Sequence, residues 1–429
     1  MSSSFPNAVL RNLAWALCAT TLCALAATRS ARAQQIVFVP QGSVTAEYAT
    51  NRTLATPPVP DSADFQVQAG GDLKADSQVA SFDLRPLVSY LDDTKIKNLN
   101  QYEALVDLVS AYRTQKAEWA LDAEYQRQDA FEAEYGVAIF NPLNPNAPNT
   151  QGTGFIVTGD TRTSFDVEPK FSYDLTQRWS LTGDAAFDAA RYSTDIPGYL
   201  VSFNSETAEL DTGYAISRES TIAAGPYYNN YQPTNDNEGA VREHGYGFNV
   251  NYNYKVSQVT STKATVRIER DTTPAAYGFP QESLTAWSAE WTGTHKFLTS
   301  QVQFSIGRFL QPSSFGGRTS VDQFRVQYSR TFTQKLSGTV AVRLTRNTDI
   351  GDTTTEDSGN RDRAQLQTSV GYLITEELTL SGGYRYAYQA LPAFDTTATG
   401  AVVSAGNVHA HSNAIFLTVT YHGRDATRQ

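Results

Sequence analysis

Between Tyr246 and Val256 every second residue is apolar: Tyr246, Phe248, Val250, Tyr252, Tyr254 and Val256. Gly247, Asn249, Asn251, Asn253 and Lys255 fill the positions between them. Successive side chains of a β-strand point to opposite faces, so this stretch predicts a strand with one apolar and one polar face. A strand of a soluble sandwich also alternates, but it is shorter and its outer face is wet. Here the apolar face is long and aromatic, and the pattern recurs along the chain. The reading is a transmembrane β-barrel, apolar side toward lipid and polar side toward a lumen.

The other segments follow the same rule. Tyr102, Ala104, Val106, Leu108 and Tyr112 oppose Glu103, Asp107 and Arg113, and Trp119, Leu121, Ala123 and Tyr125 oppose Glu118, Asp122 and Glu124. Phe165, Val167, Pro169, Phe171 and Tyr173 oppose Asp166, Glu168 and Lys170, and Val340, Val342 and Leu344 belong to a later repeat. Pro86 interrupts the segment Phe82 to Tyr90, and because proline lacks a ladder donor a local irregularity is expected there. Short connections near 77, 115, 176, 218, 258, 299, 334 and 375 alternate with longer ones, the longest at 129–162. Outer-membrane barrels connect their strands in this way, with short periplasmic turns and long outer loops. The expected fold is all-β: an antiparallel up-and-down barrel of about 18 strands, or about 16 if the first hairpin lies outside the wall. An even count places both termini on the periplasmic side. From Tyr102 to Tyr112 a strand rises about 33 Å, or roughly 25 Å along the membrane normal, the height of an apolar band.

Composition agrees with this picture. The chain has 429 residues, 40% hydrophobic and 11% aromatic, with no composition break to divide it into domains. A mean hydropathy of −0.39 suits a barrel, in which only half of each strand is apolar. At the N-terminus, Arg11 precedes the apolar run Leu13 to Ala27, too short for a spanning helix. Ser30-Ala31-Arg32-Ala33 then offers an A-x-A site, so residues 1–33 read as a cleaved signal peptide. Residues 34–42 read as a short periplasmic segment, 43–422 as the barrel and 423–429 as a C-terminal tail. Cys18 and Cys23 would leave with the signal, and each follows a leucine, which argues against lipidation. Losing Arg11, Arg29 and Arg32 takes the net charge from −10 to −13, an acidic chain unsuited to nucleic acid. The expected destination is the outer membrane of a Gram-negative cell.

Candidate functional residues follow from which face carries them. Glu103, Asp107, Glu118, Asp122, Glu124, Asp166, Glu168, Asp184, Glu209 and Asp211 fall on the polar face of strands four to eight. Lys263, Arg267, Lys296, Arg325, Arg343 and Arg385 fall on that of later strands. The expectation is a lumen with an acidic wall facing a basic wall, a transverse field that favours small polar solutes; the competing reading is that neighbouring charges merely pair, as Arg113 and Glu118 could. Tyr112, Trp119, Tyr173, Trp179, Tyr254, Phe297 and Phe332 flank the short turns as one interfacial girdle. The 129–162 connection could enter the lumen or lie on the surface, and the acidic 347–363 connection reads as a solvated loop.

Catalytic chemistry is thinly represented. His409 and His411 share a strand face without a further ligand in the sequence, and His244 beside Glu243 is the one hydrolase candidate. No cofactor, metal site or phosphate-binding glycine loop is expected.

Two stretches carry a family likeness. Gly42-Ser-Val-Thr-Ala-Glu-Tyr-Ala-Thr-Asn51 with Leu54 resembles the first strand of the β-barrel porin 2 group. The resemblance implies an outer-membrane barrel of a kind associated with exopolysaccharide loci, and no functional residues carry over from it. The closing Ala414-Ile-Phe-Leu-Thr-Val-Thr-Tyr421, with Ile415, Leu417, Val419 and Tyr421 on one face, is similar to the terminal strand presented to the barrel-assembly machinery. Many barrels stop at that aromatic, whereas here His422 to Gln429 follow. The expected function is a diffusion or export-associated pore for small polar solutes or saccharide. The alternative is a non-conducting structural or assembly barrel linked to exopolysaccharide export and plugged by 129–162; a barrel hydrolase is third. Expected partners are outer-membrane lipid and lipopolysaccharide, the assembly machinery and a periplasmic export partner, with oligomeric state open.

Overall fold

The computed structural model describes residues 35–96, 99–135, 160–194, 200–234, 242–273, 282–312, 317–349, 361–396 and 402–424. The expected signal peptide, most of the 129–162 and 347–363 connections, and the end of the tail lie outside the described residues. The strands are β1 (Gln35–Thr50), β2 (Ser62–Asp76), β3 (Ala80–Asp93), β4 (Gln101–Arg113), β5 (Ala117–Asp129) and β6 (Thr161–Asp174). They continue with β7 (Trp179–Tyr192), β8 (Phe203–Ala215), β9 (Ser220–Pro233), β10 (Glu243–Ser257), β11 (Thr260–Thr273) and β12 (Glu282–Lys296). The last are β13 (Ser300–Pro312), β14 (Arg318–Thr331), β15 (Leu336–Asp349), β16 (Arg361–Leu373), β17 (Leu378–Thr396) and β18 (Val402–His422). A short helix, α1 (Ala130–Tyr135), follows β5.

Every strand pairs antiparallel with its sequence neighbours, and β1 pairs with both β2 and β18, so the 18-stranded sheet closes on itself. Closure leaves no sheet edge, which a wall surrounded by hydrocarbon requires. The first hairpin belongs to the wall, so the sixteen-strand count is set aside. The wall also begins earlier than expected: from Gln35 onward, residues assigned to a preceding segment form β1, with Phe38 opposite Leu73. The run Ile36-Val-Phe-Val39 is apolar at every position, so it showed no alternation to read. At the other end, Gly423 follows β18 by donating its backbone N–H to the carbonyl of Pro40.

Which face is inside follows from exposure. On β10, Tyr246 and Phe248 are 65% and 54% exposed, whereas Asn249 and Asn251 just beyond them are 0% and 8% exposed. The apolar face is the outer one, and the same parity holds around the ring. Proline leaves the irregularity expected at Pro86: the β2–β3 ladder lapses between Gly70–Leu87 and Leu73–Leu84 but keeps its register. Pro169 and Pro226 make equal gaps, between Val167–Phe187 and Lys170–Asp184, and between Glu209–Tyr227 and Thr212–Ala224. A missing N–H thus costs local hydrogen bonds without slipping a strand, because a slip of one residue would turn its apolar face into the lumen.

Six of the eight short turns share one device. Ser77, Thr114, Thr176, Ser217, Thr333 and Thr375 each accept, on the side-chain hydroxyl, the backbone N–H of the residue three positions on, at 2.9–3.1 Å. Such local bonds let a turn close within a few residues. Tyr112, Trp119, Trp179, Tyr254, Phe297 and Phe332 are exposed around this end, and Tyr173 is half-buried. Trp119 packs on Phe171 at 4.2 Å between ring centroids and Trp179 on Tyr214 at 4.8 Å. At the other end Tyr48, Tyr90, Tyr102 and Tyr246 form a second exposed aromatic series, with Tyr90 and Tyr102 at 4.8 Å.

Candidate functional site

Alternation carries Glu103 and Asp107 of β4, Glu118, Asp122 and Glu124 of β5, Asp166 and Glu168 of β6, Asp184 of β7, and Glu209 and Asp211 of β8 to the inner face. They do not form an unrelieved acidic wall. Lys170 of β6 also points inward and holds Asp122 at 3.0 Å and Glu168 at 3.1 Å. Arg85 of β3 holds Asp107 at 3.0 Å. Arg113 and Glu118 pair at 2.8 Å, both well exposed beside a short turn.

The basic wall needs correction. Arg267 lies over the Tyr227 ring at 3.9 Å and bonds Glu209 at 2.7 Å, so it belongs to the acidic side. Lys263 lines an inner cavity of about 360 Å³ together with Glu118, Lys170, Asp184, Glu209 and Asp211. Lys296 is exposed beside a short turn. Sequence position assigned these three to the basic side because they come late in the chain, yet β11 lies only three strands from β8 around the ring. What remains is an arginine arc on β14 to β17: Arg325, Arg343 and Arg385, joined by Arg361 and Arg363 of β16. Arg385 pairs across the β17–β18–β1 closure with Glu47.

The long-connection mouth of the lumen holds residues that the sequence reading missed. Asn51 and Leu54 have φ of 43° and 52°, and the Asn51 side chain accepts N–H bonds from Ala55 and Val59 at 3.1 Å. This knot folds the β1–β2 connection back over the lumen. It sets Arg52, 8% exposed, among Glu47, Asp64 and Glu132. Beside it Leu54, Leu91, Leu99, Phe131, Ala387 and Ala410 form a dry cluster reaching from β3 to β18. Ala130 of α1 joins a second cluster with Ala190, Tyr192, Leu200, Phe203 and Tyr231. The described start of the 129–162 connection therefore enters the lumen, since Phe131 is completely buried there. On the opposite side Arg318 binds Glu269 and Asp271 at 2.8 Å each, and Asn229 donates to the same two carboxylates at 2.8 and 3.2 Å. The signal for this network was legible, because Glu269 and Asp271 share the parity of Arg267.

The hydrolase pair is not assembled. Neighbours on one strand face opposite ways: His244 lies edge-on to the outward Tyr246 at 6.2 Å, while Glu243 packs beside Gly317. His409 is exposed, and its Nδ1 lies 2.7 Å from the hydroxyl of Tyr388. Among the described residues no three His, Cys, Asp or Glu side chains are grouped to hold a metal ion.

A closed antiparallel wall of 18 strands, apolar outside and charged within, defines a transmembrane β-barrel. No family model matches the chain, and no curated protein matches it. Among solved structures, OccK5 (OpdH) of Pseudomonas aeruginosa is similar at 9% identity and a TM-score of 0.41, over 90% of this chain and 98% of that one. OpdQ of the same organism is similar at 11% identity and 0.42, over 91% and 99%. The FrpB iron transporter of Neisseria meningitidis is similar at 7% identity and 0.43, over 90% and 81%.

Proposed function

We propose that the protein is an outer-membrane channel for small polar solutes, short turns toward the periplasm and long connections outside. The observation that carries this reading is the inner face, polar on every strand and divided into an acid-rich arc on β4 to β11 and an arginine arc on β14 to β17. A wall of this size encloses more space than inward side chains fill, and opposed charges across it orient water and dipolar solutes. Apolar solutes gain nothing from such a lining. The export-associated variant, with saccharide as cargo and a periplasmic partner, rests on the resemblance of Gly42 to Asn51 to the β-barrel porin 2 group. In that setting β18, with Ile415, Leu417, Val419 and Tyr421 exposed on its outer face, is the strand offered to the assembly machinery.

A second reading has its own support. The Arg52 cluster and the two apolar clusters fill part of the outer mouth, as in a plugged structural barrel. Single-channel recording of the refolded protein in a planar bilayer tests both. Steady conductance, with cation preference reduced by Asp184→Asn, is expected for the channel. No conductance from a folded barrel, restored by Arg52→Ala, assigns the plugged state; none from either overturns the channel.

A further inference from the structure

On β1, β3, β4 and β10 the outer rim of the apolar band carries exposed tyrosines, but on β13 to β16 it is ionic. Arg308, Asp322, Arg346 and Asp362 sit opposite one another on four successive strands, in phase with the outward Ile306, Phe324 and Leu344. Arg308 grips Asp322 through Nε and Nη2 at 2.6 and 2.8 Å, and Arg346 grips Asp362 likewise at 2.7 and 2.9 Å. Each guanidinium keeps its Nη1 edge for another acceptor. Arg308 also covers the Trp287 ring at 4.7 Å. The row lies about 21 Å above the short-turn end, allowing eight residues at about 3.4 Å each and a tilt of about 40°. That is near the top of the roughly 25 Å apolar band, within reach of the headgroups for a long arginine side chain.

Directly below the row is an open, apolar groove of about 800 Å³ on the outside of the wall, between Trp287 and Trp291 on one side and Phe324 and Leu344 on the other. Two features make it. Its floor carries the small side chains Ala264 and Ala289. The β12–β13 ladder also stops at Ala289–Arg308, after eight residue pairs, whereas the flanking ladders continue to Thr273–Glu282 and Pro312–Arg318. The two strands part where the groove meets the ionic row.

We infer that this groove and its rim bind the acylated, phosphorylated disaccharide of lipopolysaccharide. The row is charge-balanced, so the occupant follows from the outward Nη1 edges of the two guanidinium groups and their spacing. Arg308 and Arg346 are two strand spacings apart, about 10 Å, suited to phosphates at the two ends of a disaccharide. Asp322 lies between them and accepts sugar hydroxyls. A groove lined by six strands takes more than one acyl chain, where a diacyl phospholipid would use one end of the row. The inference rests on the outward orientation of the long connections proposed above, not on conduction.

Native mass spectrometry of the detergent-purified barrel, titrated with diphosphoryl lipid A, monophosphoryl lipid A and phosphatidylethanolamine, tests it. A single retained lipid A is expected, with Arg308→Gln/Arg346→Gln weakening it about tenfold and monophosphoryl lipid A binding less well. Ala289→Phe, which fills the floor, should abolish retention in a barrel whose ionic row is intact, and serves if the double variant fails to assemble. Equal retention of phosphatidylethanolamine, or lipid A binding unchanged in the variants, overturns the assignment. Retained lipid A in a non-conducting barrel would leave this site standing and remove the channel reading alone.

Discussion

The two ends of the lumen are built by the same alternation but use their charges differently. At the long-connection mouth Arg52 and Asp64 have side chains 8% and 3% exposed, and Arg318 and Glu269 are at 6% and 0%. In the short-turn half Lys170 and Asp122 are at 40% and 38%, and Glu168 is at 42%. A charge taken fully from water must be paired and hydrogen-bonded, so the mouth residues are committed to one another. Half-wet charges keep most of their hydration and stay available to a passing solute. In the proposed channel, an inward charge can meet a solute only where water reaches it.

The sharpest way to break that contrast is to remove one partner at the mouth. Arg318→Met strands Glu269 and Asp271, and the expected loss is about 3–5 kcal/mol, read as a lower urea midpoint of the folded barrel. Restoring balance with Glu269→Gln and Asp271→Asn in the same chain should recover most of it, because what is costly is the unpaired charge. If Arg318→Met alone unfolds at the wild-type midpoint, the mouth network is solvated after all.

A comparable test applies to the outer face. Val250→Arg puts a charge on the lipid side of β10 and should cost about 2–4 kcal/mol, whereas Asn251→Arg, one residue along and facing Asp211, should cost far less. Equal losses in urea titrations would contradict the assignment of faces.

Most of the wall was readable because it depends on a period of two. The turns were readable as short breaks between alternating segments, and the Ser or Thr hydroxyl that closes most of them emerged only from the structure. Strand count, closure and the direction of each side chain follow from those signals. The mouth was not readable in this way. Arg52, Leu54 and Phe131 come from connections, whose inward fold depends on left-handed backbone at Asn51 and Leu54 and on contacts 80 or more residues apart. Ladder position also escaped a linear reading: Lys263 and Arg267 look distant from Glu209 in sequence, but β9 and β10 alone separate their strands. The ionic row on the outside was hidden in the same way. Arg308, Asp322 and Arg346 carry outward parity and belong to neither expected wall, and Asp362 falls in the expected 347–363 loop, so their juxtaposition across four strands did not show.

In the short-turn half the effects should be smaller and should appear in selectivity. Asp122→Asn leaves Lys170 with Glu168 as its ion-pair partner and removes one of the acids around it, Asp184 remaining opposite on β7. Cation preference should fall by about half at low salt, and the change should fade once the Debye length is near 3 Å, at about 1 M. Stability should move by less than about 1 kcal/mol, as for other half-exposed pairs. A large change in the urea midpoint would mean that these charges are structural, like those at the mouth.

Arg113 and Glu118 mark the lower limit of the series. They meet at 2.8 Å but have side chains 66% and 44% exposed beside a short turn, the one pair the sequence suggested outright. Arg113→Gln gives up a Coulomb term that water and salt already screen, and it frees a long side chain from a fixed geometry. The two effects nearly cancel, so the urea midpoint should correspond to a change within about 0.5 kcal/mol. Conductance should stay at the wild-type value, and selectivity should move less than in Asp122→Asn, because Glu118 lines the inner cavity only at its exposed turn end. A shift in selectivity as large as that of Asp122→Asn would place the constriction at the turns, and would undo the division between a dry mouth and a wet vestibule.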